Sequence, residues 1–126
     1  MNYLLDTHIL LWAAAGTLPP KAAQLLEDES NTLCFSPASI WEVVIKNNLG
    51  RDDFAVDASL LYHGLLGAGY VEIAVTTQHA LGVERLPMLH KDPFDRILLA
   101  QAIAEHCTLL TADANIAKYQ GPIVCI

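Results

Sequence analysis

The segment Asp92-Pro93-Phe94-Asp95-Arg96-Ile97-Leu98-Leu99-Ala100-Gln101-Ala102-Ile103-Ala104 constrains the fold more than any other part of the chain. It opens with a helix-start pattern: Asp92 can cap, Pro93 suits the first helical position, and Asp95 stands in the first turn, where the helix dipole favours an anion. The remainder is apolar around most of the helical circumference. Such a helix belongs in the middle of a domain, between other elements. Two carboxylates and an arginine therefore stand at the mouth of the helix expected to be the most buried.

The other segments alternate in type. Strands are expected at 2–5, 32–35, 70–75, 108–111 and 123–125. Helices are expected at 9–15, 21–29, 36–48, 60–66, 76–81 and 93–106, with a short helical turn at 113–119. Ser36-Pro37 marks one helix start and Asn48-Leu49-Gly50 its stop, while Arg51-Asp52-Asp53 reads as solvated, turn-like charge. Alternating strands and helices specify an α/β fold with a parallel sheet of four to five strands, covered by helices on both faces. With no repeat or linker, the 126 residues are read as one domain spanning 1–126.

Right-handed crossovers turn this order into geometry. Asp6 follows the first strand and Asp113 follows the strand at 108–111, so both fall at the carboxyl edge of the sheet. The crossover helices begin at that same edge. Asp95 lies in the first turn of one, and Glu42 lies about six residues into another. Open α/β sheets carry their sites there. Taken singly, Asp6 is a helix cap, Asp95 a first-turn acid, Glu42 a solvated helix residue and Asp113 a turn residue. Taken together, four acids from four segments converge on one edge.

Two carboxylates about 5 Å apart repel by roughly 3 kcal/mol at an effective dielectric near 20. Four must take up protons or bind a cation. Oxygen ligation without histidine or thiolate suits Mg²⁺ or Mn²⁺ rather than zinc, and metal-assisted hydrolysis of a phosphate ester is the matching chemistry. Three of the seven cationic residues, Arg85, Lys91 and Arg96, fall between 85 and 96 with His90 among them. This loop is a candidate for positioning a phosphodiester backbone, and Arg96 has an alternative as the ion-pair partner of a nearby carboxylate. Thr7 and Ser39 are expected to hold the carboxylates in place. The five histidines show no metal-ligand spacing and read as partly exposed or capping groups. Trp12 and Trp41 read as core or interface residues.

Charge and composition narrow the classes further. A net charge of −7 argues against non-specific binding to a polyanion, so any action on nucleic acid must come from a local site. The apolar share of 53% exceeds what a small core needs and points to a partner or oligomer interface. No apolar run is long enough to span a membrane, and the basic start of a signal peptide is absent. Three cysteines without a CxxC pair fit reduced thiols in a cytoplasmic protein.

With these residues in view, the chain resembles the PIN-domain ribonucleases, specifically the VapC-type toxins of bacterial toxin–antitoxin pairs. The resemblance rests on Leu4-Leu5-Asp6-Thr7-His8, Ser36-Pro37-Ala38-Ser39-Ile40-Trp41-Glu42, Asp92-Pro93-Phe94-Asp95-Arg96 with Leu99-Ala100-Gln101-Ala102, and Leu110-Thr111-Ala112-Asp113. It implies that Asp6, Glu42, Asp95 and Asp113 form a metal-binding, catalytic quartet. Thr7, Ser39, Thr111, Asp92, Lys91 and Arg96 would support the acids or the substrate. The implied reaction is Mg²⁺- or Mn²⁺-dependent endonucleolytic cleavage of RNA. The implied partners are a cognate antitoxin and a second copy of the chain, in a homodimer or higher oligomer. Asp92 is a fifth acid near the site, and its capping role is sufficient to explain it.

Other classes fit less well. A receiver-like phosphoacceptor wants adjacent acids after the first strand and a lysine after the fifth. An aspartyl-nucleophile phosphatase wants Asp-x-Asp where Asp6-Thr7-His8 stands. No G-x-G-x-x-G follows a strand, so dinucleotide binding has no support. A catalytically silent interaction domain is the remaining alternative, and four converging acids are an odd thing for it to carry.

Overall fold

The computed structural model describes residues 1–50 and 54–126; the turn read at 51–53 lies outside the described residues. In chain order the elements are β1 (Asn2–Leu5), α1 (Thr7–Ala15), α2 (Pro20–Glu27), β2 (Thr32–Phe35), α3 (Pro37–Asn48) and α4 (Ala58–Gly67). There follow β3 (Val71–Glu72), α5 (Thr77–Val83), α6 (Pro93–Ala104), β4 (Thr108–Thr111), a 3₁₀ turn (Ile116–Lys118) and β5 (Ile123–Cys125). The five strands form one parallel sheet in the order β3-β2-β1-β4-β5. The α/β fold with helices on both faces is as the sequence predicts.

Side-chain alternation along the strands builds two cores. Leu4, Cys34 and Leu109 share one face with Leu98, Leu99 and Ala102 of α6. Tyr3, Leu5, Phe35 and Leu110 share the other with Ile9 and Leu10 of α1 and Leu61 and Leu65 of α4. Leu4, Leu5, Leu109 and Leu110 are all fully buried, as expected of central parallel strands covered on both sides.

The chain leaves β1 toward β2 and β3, then returns across the sheet to β4 and β5. The connections therefore diverge between β1 and β4, and a crevice opens at the carboxyl ends of these two strands. Leu5 pairs with Leu110, and the ladder continues as the Asp6 N–H donates to the Leu110 carbonyl at 3.0 Å. Asp6 and Asp113 thus leave adjacent strands at the switch point.

Several boundaries differ from the sequence reading, each for a local reason. The first helix begins at Thr7 rather than Ile9, because the Asp6 carboxylate caps it by accepting from the Ile9 N–H at 2.9 Å. Its end is the left-handed Gly16, φ +72°. The strand expected over 70–75 pairs only at Val71–Glu72, where it joins β2 as the edge strand of the sheet. The central helix stops at Ala104 rather than 106, because His106 turns left-handed, φ +56°. Ser36-Pro37 and Asp92-Pro93 start α3 and α6 as expected.

Candidate metal centre

The site is built from loop and helix ends around the switch point. Asp6 is buried, with one carboxylate oxygen taken by the Ile9 N–H and the other accepting from the Thr111 hydroxyl. Thr111 Oγ1 also accepts from the Asp113 N–H at 3.0 Å. One hydroxyl at the end of β4 thereby orients the acid after β1 and the backbone of the acid after β4. Asp113 Oδ1 accepts from the Asn115 N–H at 2.8 Å, fixing its turn.

Asp95 enters from the first turn of α6. Asp92 caps that helix by accepting from the Phe94 and Asp95 N–H groups at 2.9 and 3.3 Å, which sets the entry angle of Asp95. Its Oδ2 lies 2.7 Å from His90 Nε2. Ligand atoms of His90, Asp95 and Asp113 all fall within 4.8 Å of one another. Among the described residues this is the group whose atoms approach closely enough to share one ion.

Electrostatics mark the same place. Burial pushes the Asp95 carboxyl up to about 6; the His90 hydrogen bond opposes this, and the charges of Asp92 and Asp113 reinforce it. Burial also raises Asp6, against the pull of its bonds from Thr111 and Ile9, with Asp113 again adding repulsion. The α6 N-terminus favours an anion at Asp95, yet desolvation wins. Carboxylates held above their ordinary range in a crevice are short of positive charge.

Glu42, on α3, is engaged by the residue that follows Asp6. Its Oε1 is 2.6 Å from the Thr7 hydroxyl, which lies 3.0 Å from Ser39 Oγ. Its Oε2 is 3.2 Å from the Lys46 ammonium, one turn further along α3. Thr7 and Ser39, both buried, therefore support Glu42 rather than the other three acids. Lys46, whose stem also carries its ammonium 5.8 Å from the Phe54 ring centre, is a partner that sequence reasoning missed. Its i,i+4 spacing from Glu42 was the available signal.

Two expectations change, and a third is narrowed. His90 is a member of the acidic group, although the histidine spacing along the chain gave no sign of it; Tyr119, 29 residues away, holds its loop. Arg96 pairs with no carboxylate among the described residues and is turned inward. Its guanidinium donates to the Pro87 carbonyl and Tyr119 hydroxyl at 2.9 Å and to the Val83 and Leu86 carbonyls at 3.2 and 3.4 Å, sealing the end of α5. Of the two readings of Trp41, core or interface, its 62% exposure, edge-on against Phe94, leaves the interface. Lys91 is exposed and lines, with Trp41, Val75, Met88 and Phe94, an apolar groove of about 870 Å³ beside the acids.

No curated protein sequence matches the chain. Similar solved structures include VapBC2 from Rickettsia felis bound to a DNA fragment from their promoter (TM-score 0.74, 17% identity, 100% of this chain and 99% of that chain). DNA-bound VapBC from Salmonella typhimurium (0.70, 12%, 99% and 98%) and a toxin–antitoxin complex from Klebsiella pneumoniae (0.67, 19%, 97% and 95%) are also similar. At these identities the likeness is one of fold. The PIN domain family matches residues 3–122, nearly the whole chain, and its acids occupy the switch point of the sheet: the chain belongs to the PIN-domain family.

Proposed function

We propose that this chain is a Mg²⁺- or Mn²⁺-dependent endoribonuclease and acts as the VapC-type toxin of a toxin–antitoxin pair in the cytoplasm. The observation that carries the reading is the cluster of His90, Asp95 and Asp113 at the carboxyl edge of the sheet of a PIN domain, with Asp6 tied to Asp113 through Thr111 and the carboxyls of Asp6 and Asp95 both raised. An all-carboxylate core with one imidazole fits a hard divalent cation, which supplies a hydroxide nucleophile near neutral pH and shields charge on the phosphate. Asp6, Asp95 and Asp113 would hold the ion, and Glu42, bonded to the Thr7 that follows Asp6, would join them from α3. Thr111 keeps Asp6 oriented, Asp92 fixes the start of α6, and Thr7 and Ser39 hold Glu42. The protein's remaining task is to place a phosphodiester against this group.

An antitoxin partner and self-association are part of the same reading. Support comes from the structural neighbours, which are toxin–antitoxin complexes, and from exposed apolar side chains such as Trp41, Leu81 and Met88. The test is cleavage of a mixed-sequence RNA with Mg²⁺ or Mn²⁺ and with EDTA, beside Asp6→Asn and Asp95→Asn. Metal-dependent cleavage abolished by either substitution is expected. Equal cleavage by wild type and both variants overturns the assignment.

A further inference from the structure

The acids of this site were expected to bind a metal through oxygen alone. The arrangement around His90 differs. Its Nε2 is 2.7 Å from Asp95 Oδ2, and one ligand atom from each of His90, Asp95 and Asp113 lies within 4.8 Å of the other two. Two ligands bound cis to one octahedral ion at about 2.1–2.2 Å stand roughly 3 Å apart, and two bound trans about 4.3 Å. The three residues are therefore near enough for a single ion to draw one atom from each into its coordination shell by side-chain adjustment.

His90 is also held as a ligand must be. The Tyr119 hydroxyl accepts from the His90 N–H at 3.0 Å and lies 3.3 Å from the His90 carbonyl, so one side chain engages both backbone groups of this residue. Arg96 donates to the same hydroxyl at 2.9 Å. Tyr119 and Arg96 are both buried. The imidazole thus projects from a loop pinned to the core, with its side chain only 18% exposed and facing the acids.

We infer that His90 is a direct nitrogen ligand of the divalent ion in this site, with Tyr119 and Arg96 as its positioning residues. The inference rests on the proposed metal-dependent function. One imidazole among carboxylates favours Mn²⁺ over Mg²⁺, because nitrogen donors gain more from the transition ion than from the harder one.

The experiment loads the full chain with Mn²⁺ and reads pulsed electron paramagnetic resonance for ¹⁴N coupling, with calorimetric titrations of Mn²⁺ and Mg²⁺. Wild type, His90→Asn, His8→Asn and Tyr119→Phe are compared, each checked for a native circular dichroism spectrum. His8 is included because its charge reaches Asp6. The expected result is a directly bound ¹⁴N signal in wild type and His8→Asn that vanishes in His90→Asn. The Mn²⁺ Kd is expected to rise about tenfold or more in His90→Asn, and that of Mg²⁺ by less than about threefold. In Tyr119→Phe the signal is expected to persist with weaker Mn²⁺ binding. Mn²⁺ binding with no ¹⁴N coupling, or coupling that survives His90→Asn, overturns the assignment of His90 and leaves the nuclease reading standing. Absence of Mn²⁺ binding by wild type overturns both.

Discussion

The hydroxyl of Thr111 donates to Asp6 across 105 residues of chain, joining the last residue of β4 to the first residue after β1. Both partners are buried, and the bond spans the point where the chain reverses its progress across the sheet. It links the topology to the chemistry, because the acid it orients is one of those that meet at the crevice.

Thr111→Val keeps the shape and deletes the donor. A buried carboxylate oxygen then loses its partner, at a cost of about 1–3 kcal/mol. Urea denaturation is expected to show that loss, Mn²⁺ titration a weaker site, and Thr111→Ser a recovery of both. A Thr111→Val protein with unchanged midpoint and affinity would show that the bond is dispensable.

Asp95 gives the protein a pH signature. Its carboxyl is raised to about 6 by burial and by Asp92 and Asp113, against the pull of His90. A raised acid stabilises the fold when protonated, so its contribution is complete below the ordinary carboxylate range and is lost as pH climbs through about 6. Metal-free Asp95→Asn is therefore expected to melt above wild type at pH 7.5, with the gap closing by pH 4.5. Saturating Mn²⁺ at pH 7.5 is expected to raise wild type much more than the variant. Thermal melts across this range decide it, and a gap independent of pH would contradict it.

Arg96 is a structural cation with a functional consequence. Its fork serves three carbonyls and the Tyr119 hydroxyl, an arrangement that a lysine ammonium does not reproduce. Arg96→Lys is expected to cost about 2–4 kcal/mol, since hydrogen bonds to charged groups are each worth about 1.5–3 kcal/mol and a lysine keeps only part of them. Chemical denaturation measures it directly, and a loss below about 1 kcal/mol would mean the carbonyls find other donors.

The three cysteines are expected to differ sharply in reactivity. Burial, with Cys107 beside it, pushes the Cys34 thiol up to about 11, and burial raises Cys107 as well. Thiolate is the reactive form, so both are almost wholly unreactive thiols at pH 8. Cys125 is exposed. Disulfide-exchange labelling of the native protein is expected to modify Cys125 alone, and the denatured chain to react at all three positions.

Local rules carried the reading a long way. Ser36-Pro37 and Asp92-Pro93 start helices wherever they stand, since a cap oxygen and a preset φ act within one turn. Strand alternation with helices, together with crossover handedness, was enough to send Asp6, Asp95 and Asp113 to one edge of a parallel sheet. Even the cap at Asp6 was legible as one of its two roles, although the helix it starts was placed two residues late.

The tertiary structure decided what depended on distant partners. His90 belongs to the acidic group because Tyr119 grips its backbone from 29 residues away, and no periodicity encodes that contact. Arg96 faces inward because the end of α5 offers it carbonyls, a destination invisible from its own neighbours in sequence. Glu42 is drawn toward Thr7 and Lys46 rather than into the closest group of acids. The amino-acid sequence by itself determined the elements and the edge where the acids gather, because propensity, capping and chain handedness are local or general. Which side chains touch was decided by packing between segments far apart in the chain, where each contact exists only once the rest of the core is assembled.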